Sequence, residues 1–120
     1  VTTSAPNLPV RTVAEAQVIE VAHADLTDAA FIHRIGDGIY QLVKDLDRPK
    51  VVIDFQKVER LSSAALGMLV ALKKVLDRQN GQLRVANVCD SVFDVFTITK
   101  LDKVLNTCKT TEEAVGSFRP

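Results

Sequence analysis

Nine consecutive residues, Ala64 to Leu72 (AALGMLVAL), carry no polar side chain, and that run narrows the fold more than any other stretch. A helix that is apolar on every side is either buried on every side or presents apolar surface to a partner. A membrane span is excluded as a reading, because no run approaches the roughly 18 apolar residues that one needs. Ser62 and Ser63 precede the run and Asn80-Gly81 close it. A helix is therefore predicted from about Ser63 to Gln79, ended by the glycine.

Rotation by about 100° per residue sorts this helix into sides. Ala65, Met68, Leu69, Leu72, Val75 and Leu76 gather on one side, which is assigned to the core. Ser63, Gly67, Val70 and Lys74 gather opposite, flanked by Leu66, while Lys73, Asp77 and Arg78 also avoid the core side. With Ser62 and Ala64 at the helix start, these residues (Ser63, Leu66, Gly67, Val70 and Lys74) form the candidate partner-binding face. Gly67 costs helix stability but leaves a flat place where another chain can approach. The alternative is ordinary packing under a neighbouring loop, and the wheel admits both.

Ser62 and Ser63 also have two readings. A hydroxyl at a helix N-terminus caps a free backbone N–H, a contribution of about 1 kcal/mol. Phosphorylation there would suit the helix dipole. It would also set about two negative charges in an apolar face and expel a partner matched to the unmodified surface. Both serines are candidate acceptors, and the wheel makes Ser63 the accessible one.

Around this helix the chain alternates strand and helix patterns. Val10 to Val21 leans towards β structure, most clearly at Val18-Ile19-Glu20-Val21. Ala22 to Thr27 reads as a turn, with Asp25 or Thr27 able to cap a helix from about Asp28 to Leu46. In that helix Ile32, Ile35, Ile39, Leu42 and Leu46 form one buried stripe with Phe31 and Val43 alongside. Gly36 and Gly38 each cost about 1 kcal/mol there and mark either a close backbone contact or a loosely held helix. Lys50 to Phe55 (KVVIDF) reads as a central strand and Gln82 to Val88 (QLRVANV) as the next, which makes a right-handed parallel βαβ crossover with the helix between them. Asp90 is expected to cap a short helix burying Val92, Phe93 and Phe96. Leu101 to Leu105 is expected to be extended, and Thr110-x-x-Glu113 reads as a capping box opening a last helix with Ala114, Val115 and Phe118. Residues 1–9 read as a loose arm and residues 10–120 as a single domain.

The 15 basic residues balance the 15 acidic ones. This weighs against nucleic acid or anionic lipid as main partner, since phosphate binding needs concentrated positive charge. It also leaves little repulsion between copies, so weak self-association is allowed. Cys89 and Cys108 form no C-x-x-C pair and are expected to be buried reduced thiols, with no metal site and no cofactor. The N-terminus, VTTSAPNLPV, lacks a basic start and an apolar core, so no signal peptide is predicted and a cytoplasmic location is expected.

The run Val51 to Val58 (VVIDFQKV), followed by Leu61 to Leu69 (LSSAALGML), resembles the STAS family of bacterial anti-sigma factor antagonists. Members carry an apolar strand, a short connection and a D-S-S-G-L-G-like motif opening a helix. The likeness continues through Gly81 to Val88 and Val92 to Leu105, and spans roughly Val18 to Phe118. It implies an α/β domain: a small mixed sheet of four or five strands with about four helices packed mainly on one side. It implies a non-enzymatic module in transcription regulation whose partner is an anti-sigma factor or a kinase-like ATPase, released by phosphorylation of the motif's second serine. Anchored on Leu66-Gly67, the motif's Asp falls on Ser62, its first serine on Ser63, its phosphorylated serine on Ala64 and its glycine on Ala65. The usual acceptor position therefore has no hydroxyl. Either Ser63, or after it Ser62, substitutes, or no phosphorylation switch operates here. The second reading within the family is an accessory subunit of a transporter or larger signalling complex.

Other classes fit poorly. Asp54 lies on a buried-looking strand, as a receiver-domain aspartate does, but the early strand is not followed by the acidic pair that holds Mg²⁺. Asp54 is expected instead to meet a backbone N–H at the sheet end or the polar groups of the connection that follows. His23 and His33 have no evident nucleophile between them, and no G-x-x-x-x-G-K phosphate loop occurs.

Overall fold

The β-leaning stretch after Pro9 is a hairpin and not one strand. In the computed structural model, which describes residues 9–118, β1 (Val10–Val13) turns back into β2 (Ala16–Glu20). Ala14 and Glu15 make the two-residue turn with φ of 49° and 70°, the left-handed backbone that short hairpins require. The expected N-terminal arm lies outside the described residues except for Pro9.

After β2 come β3 (Asp25–Leu26), α1 (Ala29–Val43), β4 (Lys50–Asp54), β5 (Arg60–Leu61) and α2 (Ser63–Arg78). They are followed by β6 (Gln82–Ala86), α3 (Asp90–Ile98), β7 (Thr107–Cys108) and α4 (Thr111–Gly116). The main sheet runs β1-β2-β4-β6-β7, and a two-strand ladder joins β3 to β5. Only β1 is antiparallel to its neighbour; β2, β4, β6 and β7 are parallel. The expected α/β architecture with a mixed sheet is what forms.

The central strands read as continuous apolar runs because both sheet faces are covered. Ile19, Val51, Ile53, Leu83 and Val85 join the main core with the buried stripes of α1 and α2 and with Val92 and Phe96 of α3. Val18, Val52 and Ala86 point the other way, where Ala114 of α4 covers them. Three helices thus serve the larger core and one small helix the opposite face.

Several local expectations shift. Asp28, and neither Asp25 nor Thr27, caps α1: its carboxylate accepts from the amides of Ala30 (3.0 Å) and Phe31 (3.4 Å). The α1 stripe is Ile32, Ile35, Ile39 and Val43. Leu42 and Leu46, 43% and 40% exposed, face out, because α1 ends at Val43 and the stripe steps from Ile39 by four. Cys89 rather than Asp90 occupies the N-cap position of α3, without a side-chain bond, and Phe93 is 40% exposed while Val92 and Phe96 are buried. Leu101 to Leu105 is turn and not extended; the last strand is Thr107–Cys108. Thr110 caps α4 by accepting from the Glu113 amide (3.0 Å), but the Glu113 carboxylate accepts from the Lys109 amide (3.2 Å), one residue short of a closed capping box. Both cysteines are free, and they are half-buried rather than buried.

The ends of α1 and α2 are tied together. Asn80, not Gly81, takes the left-handed conformation (φ 57°) that ends α2. Gly81 is needed for another reason: a Cβ there would lie 2.6 Å from the Pro49 carbonyl oxygen. Beside it the Gln79 side-chain amide nitrogen donates to the carbonyl of Val43 (2.8 Å), which also accepts from the Leu46 amide, and to that of Leu46 (2.7 Å), clamping the turn that follows α1. At the other end the Ser62 amide donates to the Leu26 carbonyl (3.1 Å), continuing the β3–β5 ladder to the brink of both helices.

Candidate docking site

The β3–β5 ladder feeds two helices that begin side by side. Leu26 is paired with Leu61, and each strand enters its helix within three residues. Asp28 caps one helix and Ser62 the other. The Ser62 Oγ accepts from the Ala65 amide at 3.4 Å, so of the two serines this is the capping one. Ser63 is exposed in the first turn, and its hydroxyl is spared that duty. An exposed Arg60–Asp25 ion pair (3.3 Å) borders the helix starts; such a pair contributes little to stability.

The predicted outer face of α2 is only partly as expected. Ser63, Ala64, Gly67 and Lys74 are exposed and Val70 is half-buried. A Cβ on Gly67 would meet nothing within 4 Å, so no loop among the described residues packs over it. Leu66, expected to flank this face, is only 8% exposed and belongs to the core. Met68 and Val75, assigned to the core side, are half-buried. They line a groove of about 440 Å³ between α2 and α1.

That groove was not foreseen. Its α2 bank is Ala64, Met68, Ala71, Leu72 and Val75, and on the α1 bank stand Gly36, His33, Asp37 and Tyr40. Gly36 marks a close contact, since a Cβ there would come within 2.9 Å of the Met68 Cγ. The sequence signal lay in that glycine inside the α1 pattern, whose two readings include a close backbone contact.

Asp54 meets its expectation. Its Oδ1 accepts from the Gln56 amide (2.9 Å) and the Asn87 side-chain amide (2.9 Å), and Asn87 also donates to the Thr111 hydroxyl (3.0 Å). His23 and His33 are exposed, His23 against the Phe31 ring and His33 3.4 Å from Asp37. Among the described residues no group of three or more His, Cys, Asp and Glu could hold a metal ion. No helix among them is long and apolar enough to cross a membrane.

Known structures share this architecture. An anti-sigma-factor antagonist (STAS) domain protein from Planctomyces limnophilus superposes with a TM-score of 0.83 at 22% identity, over 92% of this chain and 96% of that one. The Bacillus cell fate determinant SpoIIAA in its phosphorylated form matches with a TM-score of 0.69 at 18% identity, over 94% and 100% of the two chains. The murine Solute Carrier 26 family member A9 anion transporter matches with a TM-score of 0.73 at 12% identity, over 88% of this chain but 18% of that one. At these identities the likeness is one of fold. The STAS domain family model matches residues 15–114, most of the sequence, and the chain accordingly belongs to the STAS domain family.

Proposed function

We infer that this chain is a non-enzymatic binding module of the anti-sigma factor antagonist kind, docking through the exposed side of α2. The single observation that carries this reading is the open space over Gly67, where an added Cβ would touch nothing. An exposed glycine within a helix weakens it by about 1 kcal/mol. Here no packing among the described residues accounts for it, whereas close approach by a second chain does. Ser63, Ala64, Val70 and Lys74 surround that point, and the partner is an anti-sigma factor or kinase-like ATPase protein.

Control of this contact falls to Ser63, not to Ala64 at the family's usual acceptor position. Ser63 is exposed and Ser62 is occupied in capping. A phosphate on Ser63 would lie at the positive end of α2 and in front of the docking face. A second reading, an accessory subunit of a transporter or larger complex without a phosphorylation switch, draws support from Ala64 itself and from the fold shared with part of an anion transporter.

The test is co-migration in size-exclusion chromatography with the anti-sigma factors and kinase-like ATPases of the source organism. Gly67→Glu and Val70→Glu are expected to abolish a complex that the unmodified chain forms, with unchanged circular dichroism. Binding that survives both substitutions would sink the docking face. After incubation with such a kinase and ATP, mass spectrometry is expected to find phosphate on Ser63, and its absence there would leave the binding module without that switch.

A further inference from the structure

We propose that the groove between α1 and α2 receives about three turns of an amphipathic helix from the partner protein, running antiparallel to α1 and α2. This rests on the reading of α2 as the docking helix and names what lies against it. The groove runs from Ala29 to Tyr40 along α1 and from Ala64 to Val75 along α2, roughly 16 Å at 1.5 Å per residue. That length suits three helical turns. Met68 and Val75 stay half-buried along it, so apolar surface remains for a partner's side chains to cover.

Direction follows from the dipoles. α1 and α2 are crossovers between parallel strands on one sheet face, so they start at the same end, joined by the β3–β5 ladder. Their positive ends lie together beside Ser63 and favour the negative C-terminal end of an arriving helix. A phosphate on Ser63 would then face that same negative end, which adds repulsion to steric obstruction.

Charge fixes which flank goes where. The α1 bank carries Asp37, within 3.4 Å of His33. On the outer edge of α2 Lys74 is exposed and makes no ion pair among the described residues. The complementary helix has a basic flank towards α1 and an acidic flank towards α2. An acyl chain with an anionic head suits the groove less well, because the lining itself holds Asp37 and neither Lys nor Arg, Lys74 standing outside it.

The experiment titrates a synthetic amphipathic peptide of about 18 residues into 15N-labelled protein, with leucines spaced three and four apart, lysines on one flank and glutamates on the other. Saturable amide shifts are expected at Ala29, Gly36, Ala64 and Ala71. Ala71→Arg, at an exposed position that folding does not depend on, is expected to weaken binding about tenfold. Asp37→Lys is expected to reverse the preference between this peptide and one with its flanks exchanged. Shifts confined to Ser63, Gly67 and Val70, or equal binding by both peptides, would overturn the proposal. So would concentration-dependent shifts at the groove without peptide, which would make a second copy of this chain the occupant. With the cognate partner the two readings separate. Loss of binding by Gly67→Glu but not by Ala71→Arg keeps the docking face and rejects the groove; loss by neither rejects both.

Discussion

Gly67 and Gly36 both stand inside helices, yet the space around them differs. Around Gly67 an added Cβ meets nothing; at Gly36 it meets the Met68 Cγ at 2.9 Å. Gly67→Ala is therefore expected to raise stability by about 1 kcal/mol, the helix-propensity difference between the two residues. Gly36→Ala is expected to gain less than that or to lose, because Met68 must move. Urea unfolding of the two variants beside the parent checks both, and equal gains would contradict the close approach of α1 to α2. The sequence offers each environment only as one of two alternatives, a flat approach or packing under a loop at Gly67 and a close contact or a loosely held helix at Gly36. Asp54 was more legible. A carboxylate at the end of a buried strand needs donors, and the backbone just beyond the strand supplies one.

At the scale of elements, Gln79 does more than end α2. Its side chain reaches carbonyls at the end of α1 and clamps the turn that follows. Gln79→Ala should cost roughly 1 kcal/mol, the net worth of a hydrogen bond, because the Val43 carbonyl keeps the Leu46 amide as donor and the Leu46 carbonyl is exposed to water. Hydrogen exchange should also speed up at the end of α1 and the start of β6, with the β2–β4 ladder unaffected; uniform acceleration would contradict a local role. α2 was legible almost to the residue because its run of apolar residues has the capping Ser62 before it and Asn80-Gly81 after it. The hairpin was not, because Ala14 and Glu15 carry no Asn-Gly or Asp-Gly signal for the turn they make. β7 escaped notice because two residues hold no period, and its place is set by pairing with β6. The groove escaped because a wheel tests one helix at a time. Met68 and Val75 face away from solvent-exposed Ser63 and Lys74, and only α1 decides whether that direction is core or cleft.

At the scale of the whole molecule, stability should depend on alkaline pH through Cys108. Burial raises its thiol above the ordinary value of 9.0; the Glu113 charge acts in the same direction, and a hydrogen bond with Ser117 and the Arg84 charge oppose it. The folded chain therefore holds this proton at pH values where the unfolded chain has released it, and stability falls as pH rises through and above about 9. Cys108→Val is expected to flatten that part of the pH profile in urea unfolding, and an unchanged slope would assign it to another group. The helix pair that forms the groove is tied at both ends, by the β3–β5 ladder where it begins and by Gln79 and the Gly81–Pro49 contact where it finishes. A surface fastened in this way has little freedom left to surrender when a partner arrives, so the entropy lost on binding falls mainly on the partner. Differences in affinity among surface variants should then appear in how long complexes last rather than in how fast they form. Under the proposed docking function, a phosphate on Ser63 would act by shortening the life of that contact.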